Sequence, residues 1–210
     1  MSLKIEVIPN GPFVENAFVL WDDATKKAVI IDPGDEPDRI AGAARVLALE
    51  VTEIVCTHAH IDHAGAVAEL KRRLDVPVAM HKAEAPVLEH LAPQARMFGL
   101  ADVETPEVDR WLEEGDVIEV GERKGEVIHT PGHTPGGCCI FFKEDRVLIA
   151  GDTIFQGSIG RTDFPGGSFE EIIASIKEKI LPLGDDVVVY TGHGPKTTIG
   201  MERQYNPFVR

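Results

Sequence analysis

Two stacked β-sheets with helices on both outer faces, a four-layer αββα sandwich of the α/β class, is the architecture this sequence predicts. Three observations predict it. Short β-branched runs alternate with helical stretches along all 210 residues, the pattern of layered α/β folds. No linker, low-complexity tract or composition break divides the chain. The first half also has an echo in the second. Asn16-Ala-Phe-Val-Leu, a polar turn and Ala28-Val-Ile-Ile-Asp32 correspond to Gly136-Gly-Cys-Cys-Ile, a polar turn and Val147-Leu-Ile-Ala-Gly-Asp152, with an Asp closing each segment sixteen positions after its start. Two such related halves would stack as two sheets.

The elements follow in order. KIEVI, AFVLW and AVIID read as strands, the first two joined by the turn-rich PNGP and the second pair by DDATKK. Pro37 to Glu50 reads as a helix, with Ile40, Ala43, Ala44 and Leu47 on one face. EIVCT is a buried strand, HAHIDH follows it, and AGAVAELKRRL is a second amphipathic helix. PVAM is a strand leading into a helical Lys82–His90. Residues 82–116 carry little strand signal and could cover a cleft. DVIEV, GEVIHT, GCCIFF and RVLIA are strands. Ser168-Phe-Glu-Glu171 is a capping box opening EEIIASIKEKI, with Pro182-Leu-Gly184 beyond its end. VVVY is the last strand.

Composition narrows the function. At roughly 100–200 residues per domain, one domain over 1–210 is expected, and that length buries about 70% of its unfolded surface without staples. Against 35 acidic residues stand 21 basic ones, a net charge of −14, which argues against nucleic acid as a partner. Three cysteines, two of them adjacent, are no disulfide framework, so a reducing, cytoplasmic setting is the default. The start MSLKIEVIPNG is too polar for a signal peptide, and no 18-residue apolar run suggests a membrane partner.

The chemistry concentrates in Thr57-His58-Ala-His60-Ile-Asp62-His63, three imidazoles and a carboxylate within six residues, between a buried strand and a helix. Successive residues point apart on a strand, so Asp62 and His63 converge on one centre only where the backbone turns. Imidazole and carboxylate suit zinc first, with iron and manganese as alternatives. Three more donors end strands beside glycine: His133 in HTPGHTPGG, Asp152 in IAGDT and His193 in TGHGP. This gives two divalent ions, one held by His58, His60 and His133, the other by Asp62, His63 and His193, with Asp152 left to bridge them. Each ion keeps an open position, which is a catalytic pattern. Asp32 in IDPGD orients a ligand by a hydrogen bond or is a turn residue. His81, His90 and His129 read as surface or hydrogen-bonded residues, and the three cysteines as core.

These residues resemble the metallo-β-lactamase superfamily, whose pattern is HxHxDH, a later His, an Asp and a final His. THAHIDHAGA, HTPGHTPGG, AGDTIFQGSIGRTDFPGGS and TGHGPKTTIGMERQYNPF resemble glyoxalase II (hydroxyacylglutathione hydrolase), in its short, single-domain bacterial form. The resemblance implies a metal-dependent hydrolase cleaving a small-molecule thioester, S-D-lactoylglutathione or a similar acylated thiol, with Asp62 both a ligand and the acceptor of the attacking water's proton. Only 17 residues follow His193, so the C-terminal helical domain that contacts glutathione in full-length glyoxalase II is not expected. That leaves Arg161 in GRTDF, where the family places a basic substrate-binding residue, or else an arginine paired with Asp163. Lys143 and Arg203 are weaker candidates. Monomer and homodimer stay open, as do several activities. A persulfide dioxygenase shares GRTDF and would hold one iron on His58, His133 and Asp152. A lactonase or esterase would use the same water. A true β-lactamase is disfavoured by Asp152, a nuclease by the acidic balance, and a non-catalytic module by the full ligand set.

Overall fold

The computed structural model describes residues 2–210. Strands β1 (Leu3–Asn10), β2 (Glu15–Asp22) and β3 (Lys27–Ile31) form an antiparallel meander. Helix α1 (Pro37–Val46) then crosses to β4 (Glu50–Cys56), and α2 (Ile61–Ala64) and α3 (Val67–Leu74) cross to β5 (Val78–His81). After a single turn at Lys82–Glu84, helices α4 (Ala85–Leu88) and α5 (Leu91–Met97) precede β6 (Arg110–Leu112). The second half runs β7 (Val117–Val120), β8 (Arg123–His129), β9 (Cys138–Phe142) and β10 (Val147–Ile149). A small hairpin follows, of β11 (Ile154–Phe155) and β12 (Ser158–Ile159). Helix α6 (Phe169–Ala174), β13 (Val188–Tyr190), β14 (Thr197–Thr198) and α7 (Ile199–Tyr205) complete it.

Two six-stranded sheets result, ordered β1-β2-β3-β4-β5-β6 and β14-β13-β10-β9-β8-β7. The expected four layers are present. Between the sheets lies a core that includes Phe18, Leu20, Val29, Val55, Ile118, Ile140 and Phe142, and Phe18 meets Tyr190 of the opposite sheet edge-on at 6.1 Å. Outside the first sheet, Ile40, Val67, Leu70 and Leu91 bring helices α1, α3 and α5 onto Ile30 and Ile54. Outside the second, Ile172, Ile176, Ile180 and Ile199 cover Leu148 and Val189. Fully burying one such side chain contributes about 1.5–3 kcal/mol, so each layer depends on its neighbour. The echo between the halves is structural too: β2 and β3 pair antiparallel in one sheet, and β9 and β10 do so in the other.

The structure departs from the sequence reading in several places, first in that VVVY is not the last strand: β14 follows β13 and pairs with it antiparallel. Helix α1 stops at Val46 rather than Glu50, because Ala48 enters the left-handed region at φ 53°. The stretch read as one helix from Ala64 to Leu74 begins earlier, and α2 and α3 are separate, the break falling at Gly65 and Ala66. Residues 82–116 do contain a strand, β6, which extends the sheet beside β5 with Arg110 on Glu53 at 3.0 and 2.8 Å. Helix α6 is capped by Ser168, whose Oγ accepts the Glu171 N–H at 3.2 Å, but its winding widens to a π-helix over Ser175–Ile180.

Strand direction places the functional edge. β3, β4 and β5 run parallel, so Asp32, His58 and Glu84 all leave the same edge. β10 and β13 run parallel in the second sheet, and their exits carry Asp152 and His193. Backbone bonds stitch the sheets there: the Cys138 N–H donates to Thr57 O at 3.0 Å, and the Asn16 N–H to Gly192 O at 2.8 Å. His81 and His129 stack across the same edge, centroids 4.1 Å apart and planes 15° apart.

Burial pushes the His81 imidazole down to about 4, aided by His129 and Lys82 and opposed by Glu113 and Glu114. A group depressed on folding is protonated first in the unfolded chain, so the stability it contributes is lost as pH falls from about 6.5 to about 4. Over that window Tm should fall by roughly 5 °C on this account. A His81→Phe variant, followed by differential scanning calorimetry, should show a flatter profile; an unchanged slope would refute the assignment.

Cys56, Cys138 and Cys139 are free and buried, as expected of core residues. Burial raises all three thiols, that of Cys139 to about 11. No helix among the described residues is long and apolar enough to cross a membrane.

Candidate metal centre

The HxHxDH segment changes conformation where the chemistry needs it to. His58 lies in the bend that leaves β4, and His60 on an extended residue just before α2, at φ −69°, ψ 154°. The chain then turns into α2, which carries Asp62 and His63 back toward the same point. The turn is tight because Gly34 lies against it: a Cβ on Gly34 would sit 1.5 Å from Asp62 O. Gly192 has a similar role, since a Cβ there would be 2.2 Å from Asp152 Oδ1 and 2.8 Å from His63 Cε1.

All seven predicted residues meet. Ring centroids of His58 lie 4.0 Å from His63, 4.8 Å from His133 and 4.9 Å from His60, and His63 lies 5.5 Å from His193. Donor atoms group as His58, His60 and His133, as Asp62, His63 and His193, and as a third set, Asp32, His58 and His63, that straddles the two. Asp152 stands between the groups, with Oδ1 3.4 Å from His63 Nε2 and Oδ2 3.5 and 3.6 Å from Nε2 of His133 and His193.

Outer hydrogen bonds set the tautomers. The Thr57 hydroxyl donates to Asp32 Oδ2 at 2.6 Å, so its oxygen is free to accept the His58 Nδ1–H at 3.1 Å. The same Asp32 oxygen accepts the His63 Nδ1–H at 3.1 Å, and Oδ1 accepts the Thr57 N–H at 2.6 Å. His133 Nδ1–H donates to Arg161 O at 2.7 Å. In His58, His63 and His133 the Nδ1 proton is thereby committed outward and Nε2 faces inward, as metal-ligating histidines do, whereas His60 turns its Nδ1 inward, 2.9 Å from His133 Nε2. The Nε2 atoms of His58 and His63 and Oδ1 of Asp152 are buried without a hydrogen bond. Leaving buried polar atoms unmatched is costly, and cations held by the two donor groups would satisfy all three. The donor set fits a divalent metal.

The electrostatics divide along the same grouping. Burial and the neighbouring imidazoles push His58 well down, His60 to about 3 and His133 down, so all three are neutral, as ligands must be. For His63 burial works in the same direction, but Asp152, Asp32 and Asp62 outweigh it and raise the imidazole well above its usual value. His193 is raised against its burial by Asp62 and Asp152. Burial pushes Asp62 up, yet hydrogen bonding to His193, 3.3 Å away, and the charges of His63 and His193 hold it well below the usual carboxylate range.

Arg161 lies beside the centre, but its guanidinium is taken. Nε and Nη2 donate to Asp163 at 2.7 Å each, and the group lies 3.9 Å above the Phe164 ring, which meets His60 edge-on at 5.3 Å. Its carbonyl, not its charge, touches the ligand set. His129 and His90 are hydrogen-bonded to carbonyls of Pro135 and Pro86, at 2.9 and 2.8 Å. Sequence reasoning overlooked four residues here. Asn16 clamps the His193 loop through Thr191 O and Gly194 O, both at 2.9 Å. Thr57 relays Asp32 to His58. Glu15 and Glu84 are buried acids, at 1% and 0% exposure; Glu15 Oε1 lies 3.7 Å from His63 Nδ1.

The family model of the metallo-beta-lactamase superfamily matches residues 10–193, a span that holds all seven converging side chains. The chain belongs to that superfamily. The superfamily member hydroxyacylglutathione hydrolase GloC of Haemophilus influenzae is 41% identical over 209 residues, covering 99% of this chain and 98% of that protein. The crystal structure of BLEG-1 B3 metallo-beta-lactamase superposes with a TM-score of 0.91 at 39% identity, covering 98% of this chain and 99% of that one. TTHA1623, solved in a di-iron-bound form, does so at 0.89 and 38%, covering 97% and 100%. Membership, fold and donor cluster together make this superfamily chain a metallohydrolase-type enzyme.

Proposed function

We propose that the chain hydrolyses a small-molecule thioester, S-D-lactoylglutathione or a similar acylated thiol, at a site holding two divalent cations. His58, His60 and His133 would hold one ion and Asp62, His63 and His193 the other, with Asp152 between them. The observation that carries this reading is the position of Asp152, whose two oxygens reach Nε2 atoms of both groups within 3.4–3.6 Å. The likeness to GloC supports the thioester, and the di-iron form of TTHA1623 supports a pair of ions.

When bound, such a pair supplies a water acidified from about 15.7 towards about 7 and a Lewis acid for the carbonyl oxygen. The chain does the rest. Asp32, Thr57 and the Arg161 carbonyl fix three imidazole tautomers before substrate arrives, so no reorientation accompanies the reaction. Asp62 stays ionised and its carboxylate is 19% exposed. It therefore faces the open side of the site, where its oxygen can take the proton of an attacking water. A thiol pKa of about 8.5 makes thiolate an adequate leaving group, and no general acid is required. For an anionic substrate to use Arg161, its carboxylate would replace Asp163 on the guanidinium.

Metal content decides between this reading and its rivals. Protein purified without chelator should carry two divalent ions per chain, zinc before iron or manganese, and turn over S-D-lactoylglutathione. Exhaustive chelation should abolish turnover and lower Tm, and both should return with zinc. A single iron, with oxygen uptake on glutathione persulfide, would replace hydrolysis by a dioxygenase held on His58, His133 and Asp152. Turnover confined to a β-lactam or a lactone would move the substrate class while keeping the metal site.

A further inference from the structure

We propose that Glu84 is a positioning residue that sets the spacing of His58, His60 and His133. Its carboxylate joins two loops that reach the centre from different sheets. Oε2 accepts the N–H of Ala59, the residue between His58 and His60, at 2.8 Å. Oε1 accepts the N–H of Gly136, three residues beyond His133, at 2.7 Å. Glu84 itself belongs to the turn after β5 and is fully buried. Burial raises its carboxyl, opposed by hydrogen bonds from Thr134 and from the Ala59 and Gly136 N–H groups; the two N–H groups are what tie it to both loops. The His133 loop is shaped for the contact, because a Cβ on Gly136 would lie 2.5 Å from Glu84 N. The other donor group has different supports: Asp32 on His63, and Asn16 on the His193 loop.

The inference rests on the reading that these three imidazoles hold one ion of the pair. It makes the effect of Glu84 selective for that ion. Glu84→Gln keeps the volume but turns one acceptor into a donor, so one of the two N–H groups faces a donor and its loop must move. The test is zinc affinity, by competition with a chromophoric chelator, in two backgrounds that each leave one ion. In His193→Ala, where the His58 group remains, Glu84→Gln should weaken zinc by roughly tenfold or more, the effect typical of an outer partner. In His60→Ala, where the His63 group remains, the change should stay below about twofold. Equal losses in both backgrounds would make Glu84 a general stability residue, and no loss in either would leave it without influence; both overturn the proposal. Should Glu84→Gln not fold, Glu84→Asp keeps the charge but reaches only one loop, and it is read in the same way. Wild-type protein that binds two zinc ions yet cleaves no thioester would overturn the proposed reaction and leave this inference standing.

Discussion

Asp62→Ala should lower kcat by roughly 10²–10⁴-fold while the fold survives. The carboxylate is held ionised and is the more exposed of the centre's two acids, 19% against 10% for Asp152, and His193 Nε2 lies 3.3 Å away. On the proposed two-ion reading, its removal takes a donor from one ion and the proton acceptor from the attacking water. Because it lies on the first turn of α2 and its side chain enters no hydrophobic layer, Tm should shift little. His60→Ala, which removes a donor from the other ion, should cost a comparable factor. Steady-state kinetics beside metal analysis of wild type and variants checks this; wild-type turnover in either variant, with the wild type fully loaded, would refute the mechanism.

Asp32→Ala should act differently, losing stability and metal together. Asp32 is fully buried, adopts φ 50°, and accepts from the Thr57 N–H, the Thr57 hydroxyl and the His63 Nδ1–H. Truncation strands those donors and releases the tautomers of His58 and His63 at once. The expected loss is about 3 kcal/mol in unfolding free energy, with zinc affinity lower by roughly 10–100-fold. Urea titration and chelator competition measure the two effects separately. A variant as stable as wild type, or one with unaltered zinc affinity, would show that the network does not orient the ligands.

The donors could be read from the sequence because their signal is local. Four ligand-type residues crowd into 58–63, and His133, Asp152 and His193 each follow a strand run beside glycine. The residues that hold them could not be read so easily. Glu84 sits in Lys-Ala-Glu, which reads as a solvated helical turn; its partners are backbone N–H groups 25 and 52 positions away, which leave no mark on side-chain pattern. Glu15 abuts a turn, where an acid is usually exposed. Strand β6 has three residues, Arg-Trp-Leu, too few for alternation to show, and its outer position depends on the Arg110–Glu53 pair. The π-winding at Ser175–Ile180 is hidden because apolar spacing at three and four residues cannot distinguish it from an α-helix. Arg161 shows the converse: the motif GRTDF names the residue, but only geometry shows that Asp163 already occupies its charge.

The placement of the three cysteines bears on the surroundings in which such a catalyst would work. Mixed-disulfide exchange needs a reachable thiolate, and here every cysteine is buried and its thiol raised by that burial. A thiol released by the proposed reaction would find no exposed cysteine on the chain to couple with, and a small-molecule disulfide none to react with. Swings in the cell's thiol redox balance thus have no covalent handle on this fold.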